Sequence, residues 1–158
     1  MERMKRRTCA MVGKQTAVID KDEMIPMLLD ACPGFRPRWE EHVASWNGEP
    51  AGVYNDIGEF VAYLLDTYEQ GQMDSVRSAF NILERFLMEG DAETKERAVI
   101  GFIEDIQNAS SWRSFGAKAF LPFLGPHSQV GWAEVERMWR GKSSLADVIR
   151  EERREGKS

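Results

Sequence analysis

Apolar residues recur at helical spacing along most of this chain, and this pattern constrains the fold more than any other feature. The widest apolar arc comprises Ile57, Phe60, Val61, Leu64, Leu65 and Tyr68. Similar patterns follow over residues 76–87 and 98–106. Spacings of three and four mark amphipathic helices, whereas strands require the alternation of apolar and polar residues that is missing here. The sequence therefore predicts an all-α fold.

Glycine, proline and asparagine residues divide this periodic pattern into seven to eight helices. The predicted helices cover approximately residues 24–31, 37–46, 55–70, 74–89, 91–108, 117–124, 128–140 and 145–155. With 158 residues, the chain is long enough for one domain with a substantial core. We predict a single domain over residues 20–142, an irregular bundle or short curved stack. Residues 1–19 would form a flexible lead, and residues 143–158 an amphipathic helix and tail.

The composition argues against several classes of protein. The chain has two cysteines and two histidines, too few for a disulfide framework or a histidine-based metal site. No apolar run approaches the roughly 20 residues of a membrane span, and no signal sequence is evident. No glycine-rich phosphate loop, nucleophile elbow or HExxH motif is present. We expect a cytoplasmic protein with no cofactor, no metal and no membrane partner.

The acidic side chains are concentrated in the middle third of the chain. Residues 53–110 contain 12 acidic and 4 basic side chains, a net charge of −8. Such a segment repels phosphate backbones, which argues against nucleic acid, and attracts basic proteins. The predicted partner-binding acids are Asp56, Glu59, Asp66, Glu69 and Glu93. The alternative is an ordinary solvated surface of mixed charge.

The tryptophans provide a second set of candidate binding residues. Trp112 lies in the polar stretch NASSWRSFG and is the best candidate for an exposed partner-binding anchor. Trp39 and Trp46 are seven residues apart, as are Trp132 and Trp139, so each pair shares a helix face. Core packing is the more common reason for such a pair, and surface anchoring is the alternative.

Two glutamates interrupt apolar helical segments in the same way. Glu84 lies in FNILERFL and Glu104 in GFIEDIQ. A buried carboxylate needs a partner, so we expect both to be buried polar residues that accept hydrogen bonds. The donor would be an indole, an arginine or the open amides of a helix start. Antiparallel packing would separate them by roughly 12 Å along the helix axes, too far to share a proton.

Three ordered motifs resemble those of a known family. The motifs are Glu84-x5-Gly90-Asp91, Gly101-Phe102-x-Glu104-x2-Gln107-Asn108 and Leu124-Gly125-Pro126-x-Ser128-x3-Trp132. Over roughly residues 22–140 the chain resembles a bacterial family of small helical domains of unknown function. The resemblance implies a helical fold and an immunity-like role, and it supplies no catalytic residues.

These observations together favour a non-enzymatic protein-binding domain. It would be an immunity or antitoxin-type protein that neutralises a basic toxin partner. One alternative is a structural or adaptor domain that self-associates through its tryptophan faces. The other is an enzyme centred on Glu84 and Glu104.

Overall fold

The computed structural model describes the backbone of residues 18–157 and the side chains of residues 18–141. The described residues form seven α-helices and no strand, which confirms the all-α single domain. The helices are α1 (Met24–Ala31), α2 (Arg36–Ser45), α3 (Val53–Glu69), α4 (Met73–Glu89), α5 (Ala92–Arg97), α6 (Glu104–Ser110) and α7 (Pro126–Lys157). Short 3₁₀ turns at Lys21–Glu23, Pro33–Phe35 and Ala117–Phe123 join or precede them.

Helices α3 and α4 form the centre of the bundle. Helix α3 packs on α2, α4 and α6, and α4 packs on α1, α3 and α7. Both helices have a wide apolar arc because they are contacted from several sides. Phenylalanines fill much of the core, and the fully buried ones are Phe35, Phe60, Phe80, Phe86, Phe102 and Phe120. Several make edge or stacked contacts, such as Phe35 on Phe60 with ring centroids 4.9 Å apart.

The helix predicted over residues 91–108 contains a π-helical segment. Residues Ala98–Ile103 are wound as a π-helix between α5 and α6. In this segment Gly101 lies against Tyr54 of α3, where an added Cβ would be 3.0 Å from the ring. A π-helical segment interrupts the 3.6-residue period and is frequent at functional sites. The regular apolar spacing of this stretch did not reveal it.

The N-terminal boundary of the domain lies earlier than predicted. Ile19 was assigned to the lead, but it is buried and belongs to the core. Its backbone N–H donates to Glu89 and its carbonyl accepts from Asp91 and Thr94. The reason is that the turn between α4 and α5 leaves open backbone groups, which Ile19 satisfies. Of the rest of the predicted lead, Val18 is exposed, and residues 1–17 lie outside the described residues.

The C-terminal part of the chain also differs from the prediction. Two helices were expected, one capped by Ser128 and one by Ser143 or Ser144, but α7 is continuous from Pro126 to Lys157. Gly141 lowers helix propensity without breaking the helix, because its backbone can still adopt helical angles. Ser128 is not the cap: it lies in the first turn and is fully buried.

Candidate binding cleft

A cleft of about 740 Å³ opens on one side of the bundle. The end of α2, the start of α3, the π-helical segment, α6 and α7 form its walls. We call it the aromatic–acidic cleft, after its aromatic lining residues Trp46, Tyr54 and Trp139 and its acidic lining residues Glu59, Glu104 and Asp105. Its volume lies within the range of protein ligand pockets, roughly 300–1,000 Å³.

The aromatic side chains of the cleft are unusually exposed. Trp46 and Trp139 are each 38% exposed, and Tyr54 is 46% exposed. The other tryptophan of each pair, seven residues earlier, is more covered: Trp132 is buried, and Trp39 is partly buried and packs against Phe35. Each predicted tryptophan pair is therefore divided between core and cleft. Three large aromatic rings at one concave surface make a binding site of the kind that proteins and ligands anchor on.

The carboxylates of the cleft differ in their surroundings. Glu59 lies near Arg38 and His42. Asp105 is half-buried, and its carboxylate forms no hydrogen bond or ion pair with the other residues whose side chains are described. Burial, followed by the negative charge of the adjacent Glu104, raises the pKa of Asp105 above its usual range. The cleft thus holds a carboxylate that the described part of the protein stabilises poorly.

His42 supports the wall of the cleft on the α2 side. Its side chain is 8% exposed, and its Nε2 lies 2.8 Å from Asp56 Oδ1. Its Nδ1 lies 3.7 Å from Glu59 Oε1. An ionised carboxylate can only accept, so His42 Nε2 donates to Asp56. This bond joins α2 to α3 directly beside Trp46, whose ring contacts the imidazole.

The five acids predicted to bind a partner are all engaged within the chain. Asp66 lies 2.6 Å from Arg38 and 3.0 Å from Arg113, and Arg113 also binds Glu69 at 2.6 Å. The hydrogen bond from Arg38, opposed by burial and assisted by Arg113, lowers the pKa of Asp66. Asp56 and Glu59 face His42.

Glu93 completes this set, with Lys21 at 3.5 Å and Arg97 at 3.9 Å. Only Glu59 of the five acids lines the cleft. These five acids therefore lie beside cationic or histidine side chains of the same chain, and their binding of a partner stays a prediction. Most of the cations come from distant parts of the sequence, so the local charge count could not reveal them.

Glu84 lies outside the cleft: it belongs to α4, and its carboxylate contacts the start of α7. It accepts hydrogen bonds from the backbone N–H of His127 at 2.8 Å and of Ser128 at 2.9 Å. The Ser128 hydroxyl donates to it as well, at 2.8 Å, and His127 Nδ1 lies 2.8 Å away. Burial opposes its charge, but these donors outweigh that cost and lower the pKa of Glu84 to about 2. The open amides of a helix start, one of the predicted donors, are therefore its partners.

Trp112, Glu84 and Glu104 are the other residues that the sequence singled out. Trp112 is 86% exposed, as an anchor would be, but it does not line the aromatic–acidic cleft. Glu84 and Glu104 were predicted to be buried, and both are partly exposed. Glu104 lines the cleft and Glu84 does not, so the two do not form one carboxylate site.

Sequence analysis missed His42, Trp46, Tyr54, Asp105 and Trp139 as members of one site. They come from four separate helical elements, and only folding brings them together. A usable signal did exist for Asp105, because two successive carboxylates flanked by Ile103 and Ile106 must crowd one another. Among the residues described in full, no group of three or more histidine, cysteine or acidic side chains could hold a metal ion.

A family model for a domain of unknown function, DUF7674, matches residues 25–140. The chain belongs to this family. The match covers the whole of the aromatic–acidic cleft and the motifs that carried the resemblance, and it confirms a family of unknown function. The chain has no significant match among curated proteins or solved structures. Within the described residues, no helix is long and apolar enough to cross a membrane.

Proposed function

We propose that this family member is a non-enzymatic, cytoplasmic protein-binding domain of the immunity or antitoxin type. The observation that supports this proposal is the aromatic–acidic cleft, where exposed Trp46, Tyr54 and Trp139 surround carboxylates. Tryptophan and tyrosine dominate the binding energy of protein interfaces because they bury a large area with few rotatable bonds. The acidic groups between them favour a basic partner, such as a nuclease toxin.

The internally paired acids of α3 limit where this partner binds. Asp66 and Glu69 are held by Arg113, so a partner cation would have to displace an existing ion pair to reach them. The half-buried Asp105 carries no such ion pair among the side chains described. The partner surface should therefore be centred on the cleft rather than on α3.

Affinity capture from the native host tests this proposal with two variants. The cleft variant is W46A/W139A, and its matched control is V130A/L121A, which truncates two exposed apolar side chains outside the cleft. Selective loss of a captured protein from the cleft variant supports the proposal. Equal capture by both variants contradicts it.

The immunity role requires a second measurement. The captured protein is expressed alone and together with this chain, and growth is compared. Rescue of growth by the wild type but not by W46A/W139A supports neutralisation of a toxin. If the partner is harmless, the protein is a binding module without an immunity role.

The self-associating adaptor predicts a different result. Sedimentation would then show a dimer that W46A/W139A dissociates, with no other protein captured. An enzyme centred on Glu84 and Glu104 gains no support from the geometry, because the two groups lie at different sites.

A further inference from the structure

We infer that the aromatic–acidic cleft receives an arginine side chain from the basic partner. This inference rests on the proposed function and names the chemical group that the site recognises. It depends on the shape of the cleft, on its exposed aromatic rings, and on the charge of the half-buried Asp105. No one of these features alone would specify a ligand.

The aromatic rings supply the first part of the recognition. Trp46 and Trp139 reach the cleft from the end of α2 and from α7, so two indoles border one space. Planar guanidinium groups stack on indole faces through cation–π attraction. Tyr54 shows this attraction within the protein, since the Arg97 guanidinium carbon lies 5.9 Å from its ring centroid.

The carboxylates supply the second part. Glu104 and Asp105 lie side by side at the start of α6 and line the cleft. The carboxylate of Asp105 also lies close to α3, because its Oδ2 would be 3.5 Å from a Cβ at Gly58. A guanidinium offers five N–H donors in a fixed plane and can bind a carboxylate such as that of Asp105 through two of them at once. Because burial and the negative charge of Glu104 both disfavour the ionised form of Asp105, a cation bound here would stabilise that form.

The volume of the cleft sets the third condition. About 740 Å³ is more than one side chain fills. The partner should therefore present its arginine on a projecting loop or helix end, with flanking backbone entering the cleft. Ser45 and Asn55 line the cleft as well, and since each donates a hydrogen bond to the protein's own backbone, each has its side-chain oxygen left to accept from a partner N–H.

In the experiment, each of three peptides is titrated into the full-length protein, and the indole N–H signals are monitored by NMR. The peptides are acetyl-Gly-Gly-Arg-Gly-Gly-amide and the same sequence with citrulline or lysine at the centre. Citrulline keeps the shape of arginine and removes its charge. We expect the arginine peptide to shift the signals of Trp46 and Trp139 and to bind about tenfold more tightly than citrulline.

Two variants, each lacking one carboxylate charge, test whether the arginine peptide binds in the cleft. D105N removes a cleft carboxylate, whereas E40Q removes an exposed carboxylate on α2 that does not line the cleft. D105N should weaken arginine binding about tenfold, and E40Q less than about twofold. Thermal unfolding of both variants verifies that the fold is retained.

Several outcomes would overturn the inference. They are no binding of the arginine peptide at millimolar concentration, equal binding of citrulline or lysine, and equal weakening by D105N and E40Q. None of these outcomes bears on the result of the affinity capture with W46A/W139A. A cleft that binds a partner but not arginine would leave the proposed function standing and remove only the ligand assignment.

Discussion

Glu84 and Asp105 are both carboxylates in apolar helical segments, but they differ in their hydrogen-bond partners and in the direction in which their pKa is shifted. The carboxylate of Glu84, on α4, contacts the first turn of α7, where three donors and the His127 ring surround it. Asp105 lies in the aromatic–acidic cleft beside Glu104, and its pKa is raised rather than lowered. The comparison shows that local sequence does not distinguish a carboxylate that accepts several hydrogen bonds from one that accepts none from the other described side chains. The donors that each carboxylate meets make that distinction.

Removing Glu84 should produce the largest effect. E84A leaves the buried hydroxyl and the first-turn amide of Ser128 without their acceptor. We expect a loss of about 2–4 kcal/mol in the free energy of unfolding. Urea unfolding measures it, with E89A as the control, because Glu89 is an exposed residue of α4 whose side chain pairs with the exposed Arg85. Similar losses of unfolding free energy in the two variants would contradict a structural role for Glu84.

The next largest effect concerns the glycine that makes room for Glu84. A Cβ at Gly125 would lie 2.6 Å from the Glu84 carboxyl carbon. G125A should therefore destabilise the protein by roughly 1–3 kcal/mol by displacing that carboxylate. The matched control is G141A in α7, because a Cβ at Gly141 would meet no atom within 4 Å among the described residues. G141A should be neutral or stabilising. A tolerated G125A would contradict the tight fit.

Acid should weaken the Glu84 site over a defined range. The pKa of Glu84 is about 2 in the folded protein against an ordinary 4.5. A lowered folded pKa stabilises the fold above the unfolded value, and that contribution is lost as the pH falls from 4.5 toward 2. We expect about 1–2 kcal/mol of the pH-dependent stability in this range to disappear in E84Q. Urea midpoints at about pH 5, 4 and 3 for both proteins test it, and parallel curves would contradict it.

The smallest effect should have the opposite sign. The pKa of Asp105 is raised, so its charge destabilises the fold as the pH rises through that pKa. D105N should stabilise the protein at neutral pH by at most about 1 kcal/mol, since the side chain is partly solvated. Below the ordinary pKa of an aspartate the gain should vanish. Urea unfolding at about pH 7 and pH 3 measures both, and destabilisation at neutral pH would make Asp105 a structural residue like Glu84.

Much of the helical framework could be predicted, because a helix depends on neighbours three and four residues away. The spacing of Ile57, Phe60, Val61 and Leu64 placed α3 within two residues of its observed start. The same reasoning failed at the π-helical segment and within α7, where packing against other helices determines the backbone. It also placed Ile19 outside the core, since its hydrogen bonds are made to a distant turn.

The sequence by itself determined that this chain forms amphipathic helices around an apolar core and that its middle third is acidic. Only the tertiary structure decided which polar groups meet. Glu84 receives donors from a helix 43 residues further along the chain. Trp46 and Trp139 reach the same cleft from the end of α2 and from α7. The physical reason is that helical periodicity is a local property, whereas hydrogen bonds and charge pairing depend on how close the folded helices bring residues distant in sequence.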